Sequence, residues 1–230
     1  KVVEQILANP EILALGGEKR VMTALFSDIA RFTTISEQLE STEVVSLLNE
    51  YLTAMTKIVL DEGGIIDKFQ GDSVMAEFGA PLHTDDHADR AVLTGLKMQR
   101  CLKQLRQDWI NRGLPKIEAR IGINTGSMVI GNMGSDQVFD YTVMGDPVNL
   151  ASRLEGANKP YGTFIMISEF TLEHLTPNLF RCRLLDLIKV AGKTKAVKVY
   201  EVYGLCSEEF SSKDLDYYNN YQQGVQEYLN

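Results

Sequence analysis

The chain has 230 residues, of which 44% are hydrophobic and 23% are charged, and its formal net charge is −8. These proportions are typical of a folded globular domain and exclude an intrinsically disordered chain. An acidic chain has no bulk attraction for nucleic acid or anionic lipid. We therefore expect no nucleic-acid partner, and a phosphate-bearing ligand would need local cations or bound metal.

The first third of the chain predicts helices and strands in alternation. In order, the pattern predicts a helix over residues 1–15, a strand over 20–27, a helix over 42–61 and strands over 65–70 and 73–79. Gly16-Gly17 is expected to end the first helix. Gly71-Asp72 between the last two strands is a strong hairpin signal.

The rest of the chain continues with mixed elements. The pattern predicts a long helix over 84–112, two strands within 117–131 on either side of Thr125-Gly126, a strand over 138–144, a helix from Asp146 to near Ala157, short strand, helix and hairpin segments to about 204, and a helix over 214–229. Asp146 is expected to cap its helix and Pro147 to occupy the first position. This order favours an antiparallel-rich α+β sandwich with its helices on one face.

Two aspartates follow or join predicted strands. Asp28 ends the first buried strand, and Asp72 lies at the tip of the hairpin. Taken alone, Asp28 is better explained as a helix cap, and Asp72 as an ordinary turn residue. If the hairpin pairs beside the first strand, however, the two carboxylates meet at one edge of the sheet and repel unless a cation lies between them. Carboxylates are ligands of Mg²⁺, so the pair predicts a metal site.

A second candidate group lies on the helix that begins near Asp146. Asn149 and Arg153 are four residues apart, so they project from the same helical face. They are consistent with an exposed polar face, or with donors for a phosphate or a developing oxyanion. Neither a Walker motif nor a Rossmann glycine motif is present in the sequence.

Five ordered blocks of sequence resemble the class III adenylyl/guanylyl cyclase catalytic domain between about residues 18 and 205. They are Leu25–Ile29 with Phe32-Thr33, Phe69–Ala76, Phe78–Pro81, Gly122–Gly126 and Tyr141–Leu154. The resemblance implies an α+β fold with a ferredoxin-like βαββαβ core and extra C-terminal strands and helices. It divides the chain into an N-terminal helix or linker (1–18), the catalytic domain (19–205) and a C-terminal helical extension (206–230).

The resemblance also implies roles for individual residues. Asp28 and Asp72 match the family's metal-binding aspartates, with the Ile29 carbonyl as a further ligand, for two divalent ions (Mg²⁺ or Mn²⁺) per site. The substrate-binding positions are Lys68, Thr142, Phe32 and Thr33, and the transition-state pair is Asn149 and Arg153.

Lys68 is the residue that bears on the choice of base. The resemblance places it at the adenine-selecting position, where guanylyl cyclases usually have glutamate, and so implies ATP as the substrate and cyclic AMP as the product. Thr142 matches the partner position in a subgroup related to the bicarbonate-responsive soluble cyclases, which makes bicarbonate a candidate regulator. A guanylate cyclase and a catalytically inactive cyclase-like domain that acts in regulation or dimerisation are the alternatives.

In the family, sites are shared between two subunits, so one chain that carries every site residue is expected to form a homodimer. We expect the metal-binding residues and Lys68 to come from one subunit, and Thr142, Asn149 and Arg153 to act with the other.

Two positions depart from the family pattern. Arg31 stands where the family usually has glycine, and Ala191 stands where many members have a phosphate-binding lysine, for which Lys189 or Lys193 could substitute. The prefix before Arg20 resembles cyclases attached to upstream sensor modules, often in a membrane. The expectation is therefore a cytoplasmic output domain, excised from a membrane-anchored receptor cyclase.

Overall fold

The structure is a computed structural model that describes residues 16–135, 137–189 and 196–229. Its elements in chain order are β1 (Gly16–Ile29), α1 (Phe32–Ser36), α2 (Ser41–Asp61), β2 (Ile65–Gln70), β3 (Ser73–Phe78), α3 (His87–Asn111), β4 (Ala119–Gly134), β5 (Phe139–Met144), α4 (Asp146–Tyr161), β6 (Ile165–Ser168), α5 (Glu169–Leu172), β7 (Phe180–Ile188), β8 (Val197–Leu205) and α6 (Ser212–Leu229). The predicted helix over 1–15 lies outside the described residues.

One mixed sheet organises these elements. Its strand order is β2-β3-β1-β4-β6-β8-β7, and β5 pairs with β4 off this path. The β4–β6 pair is parallel, and the other pairs are antiparallel. The first four strands form the order β2-β3-β1-β4, and helices connect β1 to β2 and β3 to β4. This is the arrangement of the βαββαβ core, so the predicted α+β class is confirmed.

Helices cover both faces of the sheet, so the expectation of helices on one face was wrong. Successive side chains of β1 point to opposite faces. Leu25 packs with α2 and α3 in the larger core cluster, whereas Met22 and Ala24 pack with Val148 and Ala151 of α4 in a second cluster. Because both faces of β1 are apolar, each face needs its own helical cover.

Two local expectations in the second half were also wrong. β4 is one continuous strand through Gly126, not two strands. A side chain at Gly126 would place its Cβ 2.8 Å from Pro147 Cγ, so this glycine allows a close approach of α4 and does not make a turn. The N-cap of α4 is Gly145 (φ 145°), and Asp146 is the first helical residue. Among the described residues, no helix is long and apolar enough to cross a membrane.

Candidate active site

Asp28 and Asp72 lie together where β1 ends beside the β2–β3 turn. β3 runs antiparallel to β1, with Ser27 opposite Val74, so the turn before β3 lies against the C-terminal end of β1. The Ile29 backbone N–H donates to Asp72 Oδ2 (3.1 Å), and Ser73 Oγ donates to Asp28 Oδ1 (2.6 Å). The structure therefore brings together the two predicted aspartates and the backbone of Ile29.

The charges at this edge of the sheet are predominantly negative. Burial, followed by the charge of Asp28, raises the pKa of Asp72 to about 6. Burial also raises the pKa of Tyr51, whose hydroxyl lies 3.0 Å from Ser27 Oγ, and the charges of Asp28 and Asp72 raise it further. A cation between the two carboxylates would relieve this repulsion. The described residues contain no group of three or more His, Cys, Asp or Glu side chains placed to hold a metal, so further ligands would be backbone or substrate oxygens.

Glu155 and Arg120 also belong to this region, and sequence reasoning missed both. Arg120 lies directly opposite Asp28 across the β1–β4 ladder. Burial and then the charge of Asp28 raise the pKa of Glu155 to about 7, and Arg120 opposes that shift. Glu155 lies only two residues after Arg153, which is not a same-face spacing on a helix. Only the packing of α4 on the sheet reveals its position near the aspartates.

Lys68 and Thr142 lie on different strands and are joined through Asp67. Thr142 Oγ1 donates to Asp67 Oδ2 (2.5 Å), and Lys68 Nζ lies 3.1 Å from Asp67 Oδ1. The Asp67 side chain is only 1% exposed, so its contact with Lys68 is not an ordinary surface ion pair. Lys68 and Thr142 therefore lie together within one protomer, and the expectation that they come from different subunits was wrong.

Asn149 and Arg153 lie on α4, which packs against β4. Asn149 is exposed and Arg153 is partly exposed. At the start of α4, the Pro147 carbonyl accepts from Asn124 Nδ2 (2.8 Å). Asn124 is four strand positions from Arg120, the residue opposite Asp28, which corresponds to about 13 Å at the usual rise per residue. The first turn of α4, with Asn149, thus lies well away from the aspartates of the same protomer.

The remaining predicted positions are more scattered. Arg31 has φ 62° and ψ 33°, the left-handed conformation that glycine adopts most readily. Phe32 packs against the core, and Thr33 is exposed, with its carbonyl accepting from Ser36 Oγ. Lys189 is exposed. Ala191 and Lys193 lie outside the described residues.

Comparison with known proteins places this arrangement in a family. The model of the adenylate and guanylate cyclase catalytic domain matches residues 17–204. An adenylate cyclase of Anabaena cylindrica is 39% identical over 207 residues, which are 87% of this chain and 40% of that relative. The chain thus spans less than half the length of this relative.

Two solved structures have the same fold. The adenylyl cyclase CyaB from P. aeruginosa superposes with a TM-score of 0.76 at 42% identity, over 82% of this chain and 96% of that one. The guanylyl cyclase Cya2 gives 0.75 at 38% identity, over 83% and 95%. The fold, the paired aspartates and the matched sequence agree, and the chain belongs to the family of adenylate and guanylate cyclase catalytic domains.

Proposed function

We propose that this domain converts ATP to 3′,5′-cyclic AMP and pyrophosphate at sites shared by two copies of the chain. The observation that carries the proposal is the convergence of Asp28 and Asp72 at one edge of the sheet, where two carboxylates repel and a cation would be stabilised. The adenylate cyclase names of similar proteins support it.

Two divalent ions, Mg²⁺ or Mn²⁺, fit the donors at this edge. Asp28, Asp72 and the Ile29 carbonyl offer only oxygen, which suits hard cations. When bound, such ions lower the pKa of an attacking hydroxyl and neutralise the charge of a leaving pyrophosphate. The hydrogen bond from the Ile29 N–H holds the Asp72 carboxylate in place, and the bond from Ser73 holds that of Asp28.

Lys68 favours adenine as the base. Its ammonium only donates hydrogen bonds, which suits the N1 acceptor of adenine and conflicts with the N1–H of guanine. The overall fold does not decide the base, since an adenylyl and a guanylyl cyclase superpose on this chain almost equally well. A guanylate cyclase is therefore the second candidate. An inactive regulatory domain is the third, against which stands the presence of both aspartates, Asn149 and Arg153.

The separation of Asn149 from the aspartates within a protomer supports a homodimer. In that arrangement, Asn149 and Arg153 of one copy stabilise the charge that develops on the phosphate held by Asp28 and Asp72 of the other. Lys68 and Thr142 recognise the base from the same copy as Asn149. Phe32 and Thr33 contribute substrate contacts beside the aspartates.

The test is subunit complementation, with cyclic AMP measured from ATP in Mn²⁺ or Mg²⁺. Asp72→Ala and Arg153→Ala should each retain below about a tenth of the wild-type rate, a loss of at least 1.4 kcal/mol in transition-state stabilisation. An equal mixture should recover roughly a quarter of the wild-type rate, because half of randomly formed dimers are mixed and each has one intact site of two. Asp61→Asn, on the exposed end of α2, is the control and should match wild type. No recovery, with mixed dimers shown to form, would count against shared sites.

The proposal also covers the domain boundaries and the protein of which this domain is a part. We infer that residues 19–205 are the catalytic domain, that 206–230 are a helical extension of it, and that the parent carries an upstream sensor module with this domain in the cytoplasm. Thr142 makes bicarbonate a candidate activator. Activity with Mg²⁺ should then rise in bicarbonate at fixed pH and ionic strength, and a response equal to that in matched chloride would remove this idea.

A further inference from the structure

A buried pair of carboxyl groups lies behind the base-recognition residues. The Asp67 side chain and Glu77 are each 1% exposed. Burial, followed by the charge of Asp67 and a hydrogen bond to it, raises the pKa of Glu77 well above its usual range, and the charge of Lys68 only partly opposes this. Burial beside Asp67 thus favours the neutral form of Glu77, in which its carboxyl proton would be available to Asp67.

The position of Asp67 results from an irregularity in β2. The register against β3 changes from Ile66 opposite Ala76 to Lys68 opposite Met75, which leaves Asp67 as the unpaired residue of a β-bulge. In a regular strand, the side chains of residues 67 and 68 would point to opposite faces. The bulge redirects Asp67 so that it contacts β5 while it remains within 3.1 Å of Lys68 Nζ.

The hydrogen bonds of Asp67 fix the direction of one hydroxyl group. Asp67 Oδ2 accepts from Thr142 Oγ1 (2.5 Å) and from the Val143 backbone N–H (3.4 Å). A carboxylate has no proton to give, so the single proton of the Thr142 hydroxyl is committed to Asp67. The remaining lone pairs of Thr142 Oγ1 can then only accept.

Within the described residues, no aligned hydrogen-bond donor of the protein reaches Asp67 Oδ1 or Glu77 Oε1, both of which are buried. Lys68 Nζ is close to Asp67 Oδ1 in distance but is not aligned with it. The pair is therefore incompletely satisfied, and a proton on Glu77 would supply the donor that it lacks. Buried polar groups in such an arrangement require an explanation beyond folding, because an apolar pair would avoid the cost of burial.

We propose that Asp67, buried beside Glu77, is a positioning residue that contributes to base specificity by making Thr142 a hydrogen-bond acceptor beside the donor Lys68. Adenine presents a 6-amino donor next to the N1 acceptor, which complements this pair. Guanine presents the O6 acceptor next to the N1–H donor. It therefore places an acceptor against the acceptor Thr142 and a donor against the donor Lys68. The inference rests on the proposed function at the same site, and it adds to Lys68 and Thr142, which contact the base, a residue that acts on the base through Thr142.

The test compares nucleotide preference in wild type and Asp67→Asn. The asparagine amide can donate to Thr142, which frees the threonine hydroxyl to donate outward. The ratio of Kd for 3′-deoxy-GTP to Kd for 3′-deoxy-ATP should fall about tenfold or more, as expected for one mismatched buried hydrogen bond. The ratio of kcat/KM for ATP and GTP should fall in parallel. The 3′-deoxy nucleotides lack the attacking hydroxyl, so they report base recognition independently of cyclisation.

A double-mutant cycle shows whether Asp67 acts through the threonine. Thr142→Val alone should lower the preference for ATP, and Asp67→Asn should have little further effect on the ratio in that background. Glu77→Gln keeps a neutral donor to Asp67 and should retain the wild-type ratio, whereas Glu77→Leu should not. Asp61→Asn removes an exposed carboxylate and is the control for a change of net charge.

Several outcomes would overturn the inference. One is an unchanged ratio in folded Asp67→Asn, and another is an equal effect of Asp67→Asn with and without Thr142. If Asp67→Asn does not fold, an unchanged ratio of the two Kd values in Thr142→Val would overturn the inference instead. A wild-type chain that prefers 3′-deoxy-ATP but makes no cyclic AMP would contradict the proposed activity alone. A chain with no preference would contradict both.

Discussion

Gly122 allows α4 to lie directly on β4, and this close contact sets the position of Arg153. A Cβ at residue 122 would be 2.2 Å from both the Ala151 carbonyl oxygen and the Glu155 backbone nitrogen. Carbon and oxygen that are not bonded approach no closer than about 3.3 Å in ordinary contacts, so Gly122→Ala must move the helix about 1 Å from the sheet. These atoms belong to the backbone of the helix, and no side-chain rotation can relieve the clash.

We expect Gly122→Ala to lower both stability and activity. Overpacking of this kind costs about 3 kcal/mol, and the cost corresponds to a fall in Tm of roughly 6–12 °C for a domain of this size. The rate should fall by about a hundredfold, because a displacement near 1 Å in a catalytic group has that effect. The measurements are thermal unfolding by circular dichroism and cyclic AMP formation at saturating ATP.

Gly156→Ala is the matched control on the same helix. Gly156 is exposed, and a Cβ there would meet nothing within 4 Å. The substitution should raise Tm by roughly 2–4 °C, since alanine is favoured over glycine in a helix by about 1 kcal/mol. The reasoning is refuted if Gly122→Ala melts within about 2 °C of wild type, less than 1 kcal/mol for this size, and keeps most of its activity.

Two further predictions concern pH and the C-terminal helix. Because the pKa of Asp72 is raised to about 6, protons compete with metal for its carboxylate below that pH. The affinity for Mn²⁺, measured by calorimetry, should therefore rise as pH increases through 6. This rise should be absent in Asp72→Asn. Without metal, the folded form holds on Asp72 a proton that the unfolded chain has lost. The free energy of unfolding, measured relative to that of Asp72→Asn, should therefore fall as pH rises from about 4 to 6, and a rise in this difference would contradict the assignment. Arg183 is buried, donates to Glu201 (2.6 Å) and lies over the rings of Tyr218 and Tyr221 of α6. Arg183→Ala should lower the free energy of unfolding, measured in urea, by about 3–5 kcal/mol because it leaves Glu201 buried and unpaired. The double variant Arg183→Met with Glu201→Leu should recover most of this lost stability. An Arg183→Ala variant as stable as wild type would contradict a stabilising role for the ion pair.

Elements whose signals are local could be predicted from the sequence. The helix predicted over 42–61 is Ser41–Asp61, and the hairpin predicted at Gly71-Asp72 forms with Gly71 at φ 65°. In both cases the residues that direct the chain lie within the element or its turn. Gly126 shows where this reasoning fails, because its partner Pro147 is far along the chain. A glycine needed for close packing has the same sequence signal as a glycine needed for a turn.

The aspartates could be predicted as a pair for a related reason. Asp28 ends a strand, Asp72 lies in a hairpin turn, and antiparallel pairing of β1 with β3 is enough to bring them together. The resemblance to cyclases then supplied the roles of Lys68, Thr142, Asn149 and Arg153, which pattern alone left open.

Asp67, Glu77 and Glu155 could be recognised only in the folded chain. Asp67 depends on Thr142, 75 residues away, and on a bulge that no local pattern indicated. The raised pKa values of Glu77 and Glu155 come first from burial, a property of the packed molecule. A sequence shows which groups can ionise, but their charge and hydrogen-bond direction depend on neighbours and on exclusion of water, which arise only when the sheet and its helices assemble.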